Sequence, residues 1–284
     1  MGTNQHYPVL LKEAIEQLHV KKSAKYIDAT VGTGGHAREI LERGGRLLGI
    51  DMDDAMLAFA RKNLSQYGES VQLVRGNFSD VAQIAEDNAF VPCDGVLADL
   101  GISSVHYDGA KRGFSFGDKD AVLDMRLETN DVVVTAKDLL NLLSRKQLIN
   151  LFEPFVGFGG TRKLVGQIVE RRKVEHFETV GDFLDVVEES GISGGKLNPA
   201  TKPFMALRIR VNSELENLAE FLPAAFRILA PKGRLVVISF HSLEDRIVKR
   251  FMKANSGSLI VPSREEVRDN PRSRSAKMRV IEKK

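Results

Sequence analysis

A single cysteine, Cys93, stands in the 284 residues, so neither an intrachain disulfide nor a cysteine metal cluster can form. The first twelve residues are polar and hold no apolar signal core. No apolar run approaches the ~18 residues that a membrane-spanning helix needs. His36, His106 and His241 are scattered without metal-ligand spacing, which leaves no metal site to expect. There is no internal repeat and no low-complexity stretch. These absences predict a cytoplasmic protein that uses no membrane. Excess charge is also scarce, at a net +3, but it is unevenly spread. From Lys232 to Lys284 there are 14 Lys and Arg against 6 Asp and Glu, leaving 27 against 32 for the rest. A basic C-terminal segment on a near-neutral body suggests an anionic partner, nucleic acid first, although a solvated charged surface looks the same.

What is present is a strand–helix rhythm. Lys25–Ala29, Arg46–Ile50, Val71–Val74, Gly95–Ala98, Arg234–Ser239 and Lys277–Ile281 read as strands. Between the first few lie amphipathic stretches such as Ala37–Arg43 and Asp54–Tyr67. This alternation predicts an α/β fold with a parallel sheet and helices on both faces. The rhythm breaks after Leu100. A Gly-, Asp- and Ser-rich loop follows, then helical patterns over Ala136–Leu143, Arg145–Phe152, Arg162–Arg172 and Val180–Glu189. Residues 105–200 are therefore expected to be a mainly helical insertion, and 1–104 with 201–284 the sheet domain. A long helix is expected from near Phe204 to Ile228.

The segment Tyr26-Ile27-Asp28-Ala29-Thr30-Val31-Gly32-Thr33-Gly34-Gly35-His36 reads as a buried strand, a glycine turn and a helix start. Asp51 ends the next strand, where an acid takes ribose hydroxyls. The glycine pattern fits a dinucleotide and also fits S-adenosylmethionine; glycines serving a tight turn alone would look alike. Asp28 on the first strand, and Phe78 in Gly76-Asn77-Phe78-Ser79-Asp80, favour S-adenosylmethionine. The acid approaches the methionine end, and the aromatic offers a surface for adenine. Phe78 as an ordinary core aromatic is the competing reading.

Asp99 leaves an apolar strand and enters Leu100-Gly101-Ile102-Ser103-Ser104. Strand carboxyl ends face the ligand crevice in such sheets. An acid followed by this turn resembles the Asp/Asn-Pro-Pro-aromatic motif of enzymes that methylate exocyclic amines of bases. Such an amine has its lone pair delocalised into the ring. An acceptor on its N–H makes the nitrogen more nucleophilic, and the methyl must then lie about 3–3.5 Å away. Asp99, Ser103 and Ser104 are read as the catalytic group.

Longer segments carry a resemblance that covers nearly the whole chain in order. They include Asp94–Ser104, Arg112-Gly113-Phe114-Ser115-Phe116, Arg208–Leu215, Ser239-Phe240-His241-Ser242-Leu243-Glu244-Asp245-Arg246 and Asn270-Pro271-Arg272-Ser273-Arg274-Ser275. On these the chain resembles the bacterial small-subunit ribosomal RNA N4-cytidine methyltransferase family. The resemblance implies a class I, Rossmann-like methyltransferase fold with a helical insertion devoted to RNA recognition. It implies methyl transfer from S-adenosylmethionine to N4 of a cytidine in the decoding region of small-subunit ribosomal RNA, free or in the assembled subunit. A homodimer is compatible with it. Cofactor contacts are carried onto Gly34, Gly35, His36, Asp51, Phe78 and Asp99, and His106 stands where the family has Gln. Substrate contacts are carried onto Arg112, Arg208, Asn212, His241, Arg272 and Arg274. Val156-Gly157-Phe158-Gly159-Gly160 lacks the acids of the family's Tyr-Gly-Glu-Glu. A non-catalytic RNA-binding assembly factor and an NAD-dependent oxidoreductase are the competing functions.

Overall fold

The computed structural model describes residues 8–101, 112–128, 134–195, 197–253 and 257–284. Its strands are β1 (Lys25–Asp28), β2 (Arg46–Asp51), β3 (Val71–Arg75), β4 (Cys93–Asp99), β5 (Leu229–Ser239), β6 (Ser258–Ile260) and β7 (Lys277–Glu282). They form one sheet in the order β3-β2-β1-β4-β5-β7-β6. β1 to β5 pair in parallel, and β7 runs antiparallel to both β5 and β6. The order reverses at β1, whose neighbours are β2 on one side and β4 on the other. That reversal opens a crevice at the carboxyl ends of the two strands.

The helices are α1 (Leu11–Leu18), α2 (Gly35–Glu42), α3 (Asp54–Leu64), α4 (Val81–Asp87), α5 (Ala136–Leu142), α6 (Arg145–Val156) and α7 (Phe158–Val174). They continue with α8 (Val180–Glu189), α9 (Thr201–Val211), α10 (Glu214–Ile228), α11 (Ser242–Lys253) and α12 (Arg264–Asp269). None of the described helices is long and apolar enough to cross a membrane.

The chain divides into two compact units, Met1–Ser103 with Leu215–Lys284, and Ser104–Glu214. In the first, consecutive strand residues point to opposite faces, so both faces are packed. Ile27, Val96, Leu235 and Val237 pack with α4, α10 and α11 through Ala85, Phe221, Leu222 and Val248. Their neighbours Tyr26, Leu97, Val236 and Ile238 pack with α1, α2 and α3 through Leu18, Ile40 and Leu57. The apolar runs of the sequence are continuous because neither face meets water.

The second unit holds α5 to α9. Phe183 is fully buried and its ring meets Phe152, Phe177 and Phe204 at 6.2, 6.3 and 5.3 Å between centroids. Thr135, Ser144 and Thr179 each start a helix with a reciprocal capping box, using Asp138, Gln147 and Asp182. The expected long helix to Ile228 is broken between α9 and α10. Asn212 caps α9, and Ser213 takes a left-handed φ of 48°, which a continuous helix does not allow. β5 begins at Leu229, earlier than Arg234, because Cys93 pairs with Leu229 before the register shifts at Gly95. β6 has three residues and no legible alternation.

Candidate functional site at the carboxyl edge of the sheet

β1, β2 and β4 end on one edge of the sheet, and each ends in an aspartate: Asp28, Asp51 and Asp99. Asp51 shapes the glycine turn. The Gly32 N–H donates to its Oδ2 and the Asp53 N–H to its Oδ1, both at 2.9 Å. Gly34 caps α2 with φ 91°, a conformation that favours glycine. Gly35 opens α2 against Pro8; a Cβ there would lie 2.3 Å from Pro8 Cγ. Glycine at 35 is thus required by packing against the N-terminal segment.

His36, the second residue of α2, is 5% exposed. Its Nε2 lies 3.2 Å from the Val9 carbonyl oxygen. A carbonyl only accepts, so Nε2 carries the proton and Nδ1 faces the other way. Nδ1 is 3.8 Å from Asp99 Oδ2. Asp99 is held in place through its backbone, whose N–H donates to Thr30 Oγ1 at 2.7 Å. Thr30 is held in turn by its N–H donating to Asp28 Oδ1 at 3.2 Å. Asp99 Oδ1 is enclosed and has no hydrogen-bond partner among the described residues.

A fourth acid, Glu244, stands at the start of α11 and is 2% exposed. Its Oε2 accepts the N–H groups of Phe240 and His241 at 2.8 and 3.2 Å. His241 Nδ1 accepts the Glu244 N–H at 3.4 Å. The pair is a capping box with imidazole in place of a hydroxyl, so His241 positions the end of β5. His241 Nε2 lies 3.1 Å from Glu244 Oε1, off the line of a hydrogen bond.

Crowding these acids together, with Asp28 and Glu244 buried, disfavours their charge. Burial pushes the Asp28 carboxyl up to about 7; the Thr30 N–H opposes this and the Asp51 charge adds to it. Burial also raises the Asp99 carboxyl well above the ordinary range, reinforced by Asp28 and Glu244. A raised acid keeps its proton in the folded chain after the unfolded chain has lost it. Folding stability therefore falls as pH rises from about 4 through about 7. Asp28→Asn removes the Asp28 share of this dependence. Relative to wild type, the variant should gain about 2–4 kcal/mol between pH 4 and pH 8, read by urea unfolding at both. The same difference at the two pH values would show that Asp28 is charged throughout.

Phe78 opens a short 3₁₀ turn after β3 that Asn77 caps by accepting the Ser79 N–H. Its ring is partly buried and meets Phe221 edge-on at 5.4 Å. Ser103, Ser104 and His106 lie outside the described residues. Sequence reasoning overlooked Thr30 and Glu244. Both stand inside segments singled out for other residues: Thr30 two positions after Asp28, and Glu244 three after His241.

In the second unit, Arg112 Nη1 donates to the carbonyls of Arg126 and Leu127 at 3.1 and 3.2 Å. Arg208 forms a two-pronged ion pair with Glu214, both contacts 2.8 Å. Asn212 is 8% exposed. It accepts the Leu127 N–H and donates to the Met125 and Arg208 carbonyls, all within 2.9 Å. These three side chains hold segment 125–127 and the end of α9.

The C-terminal basic charge is partly neutralised. Asp245 binds Arg279 and Lys277 at 2.8 and 2.9 Å, tying α11 to β7. Burial pushes the Asp245 carboxyl up, but the hydrogen bonds from Arg279 and Lys277 outweigh it and hold it below its ordinary value. Arg272 and Arg274 are exposed on either side of the buried Ser273. Arg246, Lys249, Arg250 and Lys253 are exposed along α11. No ion pair engages any of these six among the described residues.

The residues at the crevice suit a cation. Four carboxylates converge, and one keeps an unpartnered oxygen. A dinucleotide would bring a doubly negative pyrophosphate to the same turn, and these acids would repel it. S-adenosylmethionine brings a sulfonium and an ammonium.

The model of the MraW methylase family matches residues 3–262 of the chain. A ribosomal RNA small subunit methyltransferase H from Dictyoglomus thermophilum is 43% identical over 289 residues, 98% of this chain and 97% of that protein. One from Bacteroides fragilis is 39% identical over 306 residues, covering 99% and 98%. Another, from Methylacidiphilum infernorum, is 38% identical over 296 residues, covering 97% and 93%.

Proposed function

The chain belongs to the MraW methylase family, and from that premise we propose that it transfers a methyl group from S-adenosylmethionine to N4 of a cytidine in small-subunit ribosomal RNA. The observation that carries this reading is Asp99: a strand-end acid at the switch point, with a raised affinity for protons and an unpartnered oxygen.

When bound, the cofactor supplies an electrophilic methyl on sulfur. Asp51 holds the ribose hydroxyls. Asp28 and Asp99 face the cationic end, and the cation in turn favours their ionised forms. Phe78 offers a surface for adenine. The target cytidine is out of its stack, read on the Watson–Crick edge that carries N4. Asp99 accepts a hydrogen bond from the N4 amine, which localises the nitrogen lone pair, and takes the proton released as the new N–C bond forms. His36 Nδ1 is the proton-accepting atom behind Asp99. Ser103 and Ser104, which follow Asp99 in the chain, are its proposed catalytic companions. Ser104–Glu214 serves RNA recognition, with Arg112, Arg208 and Asn212 shaping its surface from within.

The test is tritiated-methyl transfer to small subunits lacking the modification, followed by mass spectrometry of the product nucleoside. N4-methylcytidine is the expected product. Incorporation at another base or position would overturn the N4 assignment, and no incorporation would favour a non-catalytic binding factor.

RNA docking has its own test. Arg272 and Arg274, with the exposed cations of α11, should contact backbone phosphates. Replacing both arginines with Ala should flatten the log–log salt dependence of RNA binding by one to two contacts, about 0.7 each on single strands. S-adenosylmethionine affinity should not change. An unaltered salt slope in filter binding would assign these arginines to solubility alone.

A further inference from the structure

A cavity of about 270 Å³ opens at the amino edge of the sheet, and Lys21, Tyr26, Asp94, Lys232, Arg234 and Glu282 are in its lining. The methyl-transfer residues sit at the other end. Asp94 and Asp99 lie five positions apart on β4, so about 17 Å separates the two sites along the strand.

The charges in this cavity are not balanced. Glu282 is engaged by Arg234, at 2.9 Å from both its Nε and Nη2. Asp94 Oδ2 accepts the Lys25 N–H at 3.0 Å. Arg234 Nη1 donates to the Gln17 carbonyl at 3.0 Å and lies 2.9 Å from His19 Nε2. A guanidinium only donates, so His19 is the neutral tautomer with its N–H on Nδ1. Lys21 and Lys232 are exposed at the mouth, and neither makes an ion pair among the described residues. The turn that carries Lys232 is locked to the end of β7. The Lys232 N–H donates to the Lys283 carbonyl at 2.7 Å, and the Lys283 N–H to the Gly233 carbonyl at 2.9 Å. Lys232 holds a left-handed φ of 64° and His19 one of 51°. With Glu282 engaged by Arg234, Lys21 and Lys232 face the single remaining carboxylate, Asp94; the one positive charge in excess, beside a fixed guanidinium, makes a seat for a tetrahedral oxyanion.

We propose that this cavity binds a backbone phosphate of the ribosomal RNA, a contact that a substrate reaching both ends of the sheet makes and a short strand around the target cytidine does not. The inference rests on the methyl-transfer reading above. A trinucleotide centred on the cytidine cannot reach a phosphate seat a full strand length away. A folded subunit presents phosphates on many sides and can.

The experiment uses the full-length protein with Lys21→Gln and Lys232→Gln combined, two exposed positions outside the methyl-transfer site. Filter binding to small subunits lacking the modification should lose about one to two contacts from its salt slope. KM for those subunits should rise about fivefold or more at 0.15 M salt, with kcat unchanged. Methyl transfer to a trinucleotide should be unchanged. A wild-type salt slope and KM on subunits would overturn the proposal, as would an equal loss on the trinucleotide. Calorimetry with inorganic phosphate separates the sources. Millimolar phosphate binding that the double variant loses, with subunit binding intact, would assign the cavity to free phosphate and overturn the RNA role. Subunit binding without methyl transfer by the unaltered protein would sink the proposed function, while the binding arms stayed decisive for the cavity.

Discussion

Asp99→Asn lowers kcat for methyl transfer by about 10²–10⁴-fold, the range expected when a positioned proton acceptor is lost. The amide keeps the shape of the side chain and can still sit beside a base, but it takes no proton. Stability should move the other way. Asp99 is a partly buried acid with one enclosed oxygen, set against Asp28 and Glu244, and an amide carries none of their mutual repulsion. The variant should therefore unfold at the same temperature as wild type or higher at pH 8. Single-turnover transfer at the wild-type rate would remove Asp99 from the mechanism. Cofactor affinity has to be measured alongside, because the same carboxylate is proposed to face the cationic end of S-adenosylmethionine.

Asp51→Ala should weaken S-adenosylmethionine binding by about 1–3 kcal/mol, roughly 5- to 150-fold in Kd. A second cost comes with it. Asp51 accepts the Gly32 and Asp53 N–H groups, so alanine leaves two turn donors without their carboxylate. The apo protein should lose about 1–3 kcal/mol of stability. Asp51→Asn separates the two effects: its amide oxygen keeps one of these bonds, while the charged acceptor for the ribose is gone. Calorimetry showing wild-type affinity in Asp51→Asn would transfer the ribose role to another group.

The acids of this site were legible in the sequence because each ends a run of apolar residues. A strand buried on both faces has no other use for a carboxylate than at its tip. Strand ends at Asp28, Asp51 and Asp99 therefore located the edge before any coordinates. The partners of those acids were not legible. Glu244 approaches Asp99 because β5 lies beside β4 in the sheet, a neighbourhood that local pattern does not encode. The Val9 carbonyl reaches His36 for the same kind of reason. Gly35 shows the opposite limit. Its place in a glycine motif suggested close approach to a ligand, whereas the chain's own Pro8 occupies the space that a Cβ would need. Asn212 carries the same lesson, since three backbone groups occupy an amide that stands in a motif suggestive of substrate.

The corner that holds His36 is completed late in synthesis. Glu266 Oε1 accepts the N–H of Leu10 at 2.7 Å, and the two are 256 positions apart. Leu10 adjoins Val9, whose carbonyl orients the imidazole. At translation rates of about 5–20 residues per second, Glu266 follows Leu10 after roughly 13–50 s. β5 and β7, which cover the far side of β4, also arrive late. A nascent chain long enough to include every aspartate of the crevice still lacks the carboxylate that anchors Leu10, so the backbone beside His36 gains this support only once residue 266 is made.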